Sequence, residues 1–228
     1  MDSSRAVRDL TGGNPIRLIL SFSIPVFLGA LFQQFYTIVD TLIVGRVLGA
    51  DALAAVGCTG SVNFLVVGFC IGLCSGFSIP IAQKFGARDY TGMRKCVANC
   101  LWTGMVFAAI ITVIVSLNTM NILRLMKTPD NVIDMSYSYI LVIFIGIPMT
   151  MLYNVVSGLI RALGDSGTPL VFLIVSSVLN IGLDLLFMVV FGMGVFGAAL
   201  ATILSQAIAG TACLIYMIYR YPLLRVFY

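Results

Sequence analysis

Six long apolar stretches separated by short polar turns account for most of the chain. They cover residues 16–44, 52–82, 93–117, 132–159, 168–191 and 195–219. Each reaches or exceeds the roughly 20 residues a helix needs to cross the hydrocarbon core of a bilayer. Spans longer than that predict tilt, or extension past the hydrocarbon. The breaks carry turn chemistry: Gly49-Ala50-Asp51, residues 84–92, residues 118–131, residues 161–167 and Gly192-Met193-Gly194. Arg5, Arg8 and Arg17 precede the first run as they would in a signal peptide. That run is far longer than a signal h-region and no small-residue cleavage site follows it, so it is read as a retained helix. The pattern predicts an all-α membrane protein in which residues 1–228 form a single six-helix transmembrane lobe.

Composition supports the same class. Of 228 residues, 60% are apolar and 10% charged, whereas a soluble domain carries about a quarter charged residues. The net charge of +4 is small and unevenly placed. An even number of spans puts both termini on one side, together with Arg5, Arg8, Arg17, Lys84, Arg88, Arg94, Lys95, Arg161, Arg220 and Arg225. Arg46, Arg124 and Lys127 fall on the other. This asymmetry predicts cytoplasmic termini for a multi-pass protein of the cell membrane. The basic residues form no single face of the kind nucleic acid requires. Histidine is absent, and the six cysteines (58, 70, 74, 96, 100 and 213) include no CxxC pair. They are read as small buried packing residues and not as a zinc or disulfide framework. Without histidine, a nucleophile elbow or a phosphate loop, an enzyme is not expected.

The candidate chemistry lies in the few polar residues inside the apolar runs. Asp40 and Asp184 are intramembrane carboxylates, each costing roughly 2.5–3.5 kcal/mol on insertion scales, so they are expected to face a cavity or a partner. Asn180 lies one turn before Asp184, on the same helix face. Asp184 precedes the Met193 turn by nine residues and Thr202 follows it by nine, which predicts similar depths in an antiparallel pair. Asp40 lies near the same end of the first helix. Carboxylates, an amide and a hydroxyl suit a hard cation such as sodium, and paired carboxylates can instead carry a proton. Residue types leave that choice open.

Gln33, Tyr36, Thr37 and Asp40 form a stripe on one helical face and predict a wet lumen. Tyr137 and Tyr139 stand near the outer end of the fourth helix, as cavity or belt residues, with Asn154 deeper. Pro25 and Pro148 are expected to interrupt the first and fourth helices, and Pro80 lies near the inner end of the second. Gly68, Gly72 and Gly76 read as a close-packing seam. No lysine or arginine is expected in the interior of a span, Arg17, Arg94 and Lys95 standing at the ends of theirs.

Several segments together resemble the multidrug and toxic compound extrusion (MATE) transporters. They are Gly13-Asn14-Pro15-Ile16-Arg17, Pro25, the stretch from Gln33 to Tyr36, Val39-Asp40 and Gly45-Arg46. Leu53-Ala54-Ala55-Val56-Gly57, Ala82-Gln83-Lys84-Phe85-Gly86-Ala87-Arg88 and the run from Arg161 to Pro169 continue the series in order. The resemblance covers the whole chain and implies one lobe of a twelve-helix fold, the two lobes being related by a pseudo-two-fold axis along the membrane normal. It implies alternating-access export of cationic or amphipathic drugs, driven by inward sodium or proton movement. Asp40, Asn180, Asp184 and Thr202 match that family's cation or proton site, including any bound sodium. Gln33, one of Tyr137 or Tyr139, and Asn154 match cavity positions. Pro25 matches a hinge proline.

The resemblance implies no cofactor beyond the coupling ion, and as partners the lipid bilayer and either a second lobe or a homodimer mate. The chain ends at Tyr228, where a second lobe would be expected to follow. Two alternatives remain: a truncated, non-transporting remnant or interaction subunit, and a flippase for lipid-linked precursors. The second is disfavoured by the expected lack of cationic residues in the interiors of the spans.

Overall fold

The computed structural model describes residues 14–224; Arg5, Arg8, Gly13 and Arg225 lie outside the described residues. The chain runs through α1 (Pro15–Leu48), α2 (Ala50–Gly86), α3 (Tyr90–Leu125), α4 (Ile133–Ile145) and α5 (Ile147–Ala162). It continues through α6 (Gly167–Asp184), a π-helical segment (Leu185–Val190), α7 (Gly194–Arg220) and a single 3-10 turn (Pro222–Leu224). Five helices are long and apolar enough to cross a membrane, and α4 with α5 makes a sixth span bent by 44°. The bend follows from Gly146 and Pro148. Proline supplies no amide to the preceding turn and its ring crowds the carbonyl there. On the other face of the bend, a Cβ at Gly146 would overlap the Ile203 side chain of α7.

Helix ends explain the turns. Pro15 opens α1 at a position where a missing amide is harmless, and the Asn14 side chain accepts from Ile16 N at 3.1 Å. Asp89 caps α3 through Gly92 N at 2.8 Å and pairs with Lys84 at 2.8 Å. Arg88 and Lys127 terminate α2 and α3 in the left-handed region, with φ of 56° and 55°. In each case the next amide bonds back five residues, Asp89 N to Lys84 O and Thr128 N to Leu123 O. That is the geometry a helix ordinarily closes with glycine. Arg88→Gly is therefore expected to raise the melting temperature, by roughly 1 kcal/mol of relieved backbone strain. A lowered melting temperature in detergent would show that the arginine side chain matters more than its backbone.

Two connectors are shorter than the apolar pattern predicts. Helix α2 runs to Gly86 and not to 82, and α3 extends to Leu125 through part of the expected 118–131 loop. Asn118 Nδ2 donates to Ile114 O at 2.8 Å and Thr119 Oγ1 to Val115 O at 2.9 Å. The polar groups that suggested a loop are thus satisfied inside the helix. Pro25 and Pro80 lie within α1 and α2, which continue past them. The expected interruption of the first helix is not observed, whereas that at Pro148 is.

The core centres on the bent span. Helix α5 packs between α2 and α7, α4 packs against α2, α3 and α7, and α1 lies mainly on α6. Phe144, Ile147, Val156, Leu159 and Ile160 are essentially inaccessible. By contrast, Phe64, Leu65, Trp102 and Leu117 are at least 70% exposed, an arrangement stable only with lipid as solvent. Cys70, Cys74, Cys100 and Cys213 are buried and Cys58 and Cys96 half-buried, all as free thiols. The glycine ladder is a correction. A Cβ at Gly68, Gly72 or Gly76 would meet nothing within 4 Å, so these residues face open space and not a packed seam.

Candidate functional site

Four helices bring the intramembrane polar residues together. Helix α1 contributes Tyr36 and Asp40, α4 contributes Tyr139, α6 contributes Asn180 and Asp184, and α7 contributes Thr202. Asp40 is 7% exposed, Asn180 1% and Asp184 0%. The carboxyl groups of Asp40 and Asp184 lie within interaction distance of each other, and Tyr36 and Tyr139 within electrostatic reach of both.

Thr202 ties the α6 and α7 sides of the site to α1. Its Oγ1 donates to Ala198 O at 3.1 Å and accepts from Asn180 Nδ2 at 3.3 Å. With its proton so committed, the 3.4 Å contact with Tyr36 is one in which the tyrosine hydroxyl donates. Asp40 Oδ1, both Asp184 oxygens and Asn180 Oδ1 remain buried with no hydrogen-bond partner. The Lys84–Asp89 ion pair, between α2 and α3, is remote from them. Buried acceptors without a donor are costly, and adjacent carboxylates doubly so, unless a proton or cation lies among them. The helix leaves its regular form directly after Asp184, where the π-helical segment begins; such segments widen the helix and often occur at functional positions.

Beside this cluster lies a cavity of about 230 Å³ between α1, α2, α5, α6 and α7. Gln33, Tyr36 and Asn154 line it, as do Thr150, Tyr153, Ser176, Ser177, Ser205, Gln206 and the hinge candidate Pro25. Thr150 Oγ1 and Gln206 Oε1 are 2.5 Å apart. The other expected cavity residues lie elsewhere. Thr37 Oγ1 donates to Gln33 O on the exposed side of α1, Tyr137 packs against the apolar core, and Tyr139 is buried near the acidic pair. Arg161 was expected in a connector, yet it occupies the last turn of α5 and lines the cavity. The helix thus runs past the expected end at 159 and carries this cation, at its last turn, into the cavity wall.

Sequence reasoning missed Thr150, Ser176, Ser205, Gln206 and Arg161. Ser176 with Asn180, and Thr202 with Ser205 and Gln206, share the three- and four-residue spacing of one helical face. That signal was available. The convergence of α5 on α7 was not.

Six membrane-spanning segments, the fourth of them bent, that bury paired carboxylates beside a polar cavity match one half of a membrane transporter. The chain belongs to the MatE family, whose model matches residues 25–186, and members of this multidrug efflux family are transporters and not enzymes. It is 37% identical over 200 residues to the Bacillus subtilis protein described as "Probable multidrug resistance protein YoeA", a match covering 86% of this chain and 43% of that one. To "Probable multidrug resistance protein YpnP" of the same organism it is 38% identical over 214 residues, covering 92% and 47%. The fold superimposes on a crystal structure of MATE in the bent conformation with a TM-score of 0.87 and 28% identity, covering all of this chain and 50% of that one. The chain thus spans about half the length of the relatives it matches.

Proposed function

We propose that this lobe couples inward movement of a proton or sodium ion to export of cationic or amphipathic compounds, within a complete two-lobe transporter. The observation that carries the reading is the buried Asp40–Asp184 pair, whose oxygens lack donors while Asn180 and Thr202 close the site beside them. An all-oxygen set of two carboxylates and an amide fits a hard monovalent cation, which Asp40, Asp184 and Asn180 would hold. Thr202 already uses its hydroxyl on Ala198, Asn180 and Tyr36, so it positions the others. A bound cation or proton would neutralise the pair, and its release would restore repulsion between α1 and α6. That difference is what an ion-driven conformational change requires.

Tyr36 faces both the cavity and the Thr202 hydroxyl, so it links cavity occupancy to the acidic pair. The opposite wall of the transport path is supplied by a second six-helix lobe, on the same polypeptide or on a second copy. Both described termini of the lobe face the cytoplasm, following the lysine and arginine asymmetry.

In a complete assembly expressed in drug-sensitive cells, Asp40→Asn and Asp184→Asn are each expected to abolish dye efflux at normal levels of membrane insertion. Efflux at wild-type rate in both variants would remove the reading.

A further inference from the structure

The cavity carries a charge that the acidic pair does not explain. Its walls contain no aspartate, and among the residues lining it Arg161 alone is ionic. The Tyr153 phenol and the Cys213 thiol lie within electrostatic reach of the guanidinium, which makes no ion pair among the described residues. A partly buried guanidinium in a cavity wall, with no ion pair among the described residues, is open to an anion entering the cavity. Its planar fork of donors also matches carboxylate, sulfonate and phosphate geometry.

Position along the cavity matters as much as charge. Thr150 and Arg161 line the α5 wall eleven residues apart, or roughly 16 Å along the helix. Thr150 marks the end near the acidic pair. It contacts Gln206, which lies one turn of α7 from Thr202, the partner of Tyr36. Arg161 therefore stands at the far end, beside Pro169 at the start of α6. Val67, Ile71, Leu170 and Leu173 add apolar wall between the two ends.

We infer that Arg161 docks the anionic group (carboxylate, sulfonate or phosphate) of an amphipathic molecule in the lobe cavity, with its apolar part extending along α5 toward Tyr36. The cavity then favours anionic and zwitterionic amphiphiles, which narrows the exported class proposed above to its amphipathic members, with the cation site lying separately beyond Tyr36. The use of this selection in export rests on the efflux reading; the binding itself does not.

Three naphthalene probes differing only in charge test the inference on the full chain in a neutral detergent, by equilibrium dialysis. 1-Naphthalenesulfonate is expected to bind at least tenfold more tightly than 1-naphthalenemethanol or 1-naphthylmethylammonium. Arg161→Gln is expected to erase that preference and Arg161→Lys to keep part of it. On unmodified protein, naphthalenesulfonate and not the alcohol should protect Arg161 from phenylglyoxal, read by peptide mass; this arm holds even where the glutamine variant fails to fold. Competition by a short-chain phosphatidylglycerol would identify a lipid headgroup as the source of the anion, and its absence a soluble amphiphile; either supports the site. No charge preference in the wild type, a preference surviving in folded Arg161→Gln, or unprotected Arg161 overturns the inference. Loss of efflux in the aspartate variants without a charge preference refutes this inference alone. A charge preference in a chain whose aspartate variants still pump leaves it standing and removes the coupling reading instead.

Discussion

Asp184→Asn is expected to make the lobe more stable, by about 2 kcal/mol, in the same change that abolishes coupled transport. Both Asp184 oxygens are buried without a donor and face the Asp40 carboxyl, itself carrying an unpartnered oxygen. An asparagine amide at 184 would donate to Asp40, replacing a repulsive contact by a hydrogen bond to a charged acceptor, which is worth about 1.5–3 kcal/mol. The side chains are nearly equal in volume, so packing around α6 and α7 is undisturbed. For a domain of this size the gain corresponds to a rise of roughly 4–8 °C in melting temperature. Thermal unfolding of the two proteins in one detergent would measure it, and a variant that melts lower would show that the pair is already satisfied. A gain in stability with loss of transport is what a site strained for function predicts.

Asp165→Ala is expected to act in the opposite direction and to cost about 2–3 kcal/mol. Asp165 lies between α5 and α6, outside the spans. It accepts from Gly167 N at 2.9 Å, Thr168 N at 3.0 Å, Thr168 Oγ1 at 2.6 Å and the Tyr221 hydroxyl at 2.5 Å. The side chain thus satisfies the first amides of α6 while tying that helix to the buried Tyr221 at the end of α7. Loss of a helix cap costs about 1 kcal/mol and loss of hydrogen bonds to a charged acceptor about 1.5–3 more, reduced here because the group is half-exposed. Tyr221→Phe removes one of these bonds and should cost about 1 kcal/mol.

The pH dependence has a definite sign. Burial alone would raise the Asp165 carboxyl, but the bonds from Thr168, Tyr221 and the two amides outweigh it and hold the group below the ordinary carboxylate value. A depressed folded value means that the stabilisation is complete above about pH 4 and is lost as the pH falls further. The difference in melting temperature between wild type and Asp165→Ala should therefore be constant from about pH 5 to 8 and shrink in acid. A difference that widens in acid would contradict this account.

The six spans were legible because the bilayer imposes its own length and polarity on a helix, so Ile16, Trp102 and Leu117 announce their setting without reference to any neighbour. Asp40, Asn180, Asp184 and Thr202 stood out for the same reason, as polar groups where lipid tolerates few. Their shared depth could be counted from the Met193 turn. The boundaries at Gly86 and Leu125 were not legible, because Asn118 and Thr119 read as loop residues until their bonds to Ile114 and Val115 are seen.

What the sequence by itself determined is therefore the class of solvent, the number of spans and the short set of residues able to hold an ion. The tertiary structure decided which of them meet. It put Tyr36 on Thr202, left the Gly68–Gly76 face open, bent the fourth span at Gly146, and turned Arg161 from a connector cation into a cavity wall. Spacing along one helix fixes a face and a depth, but which helix lies opposite is set by packing between spans that no local pattern records.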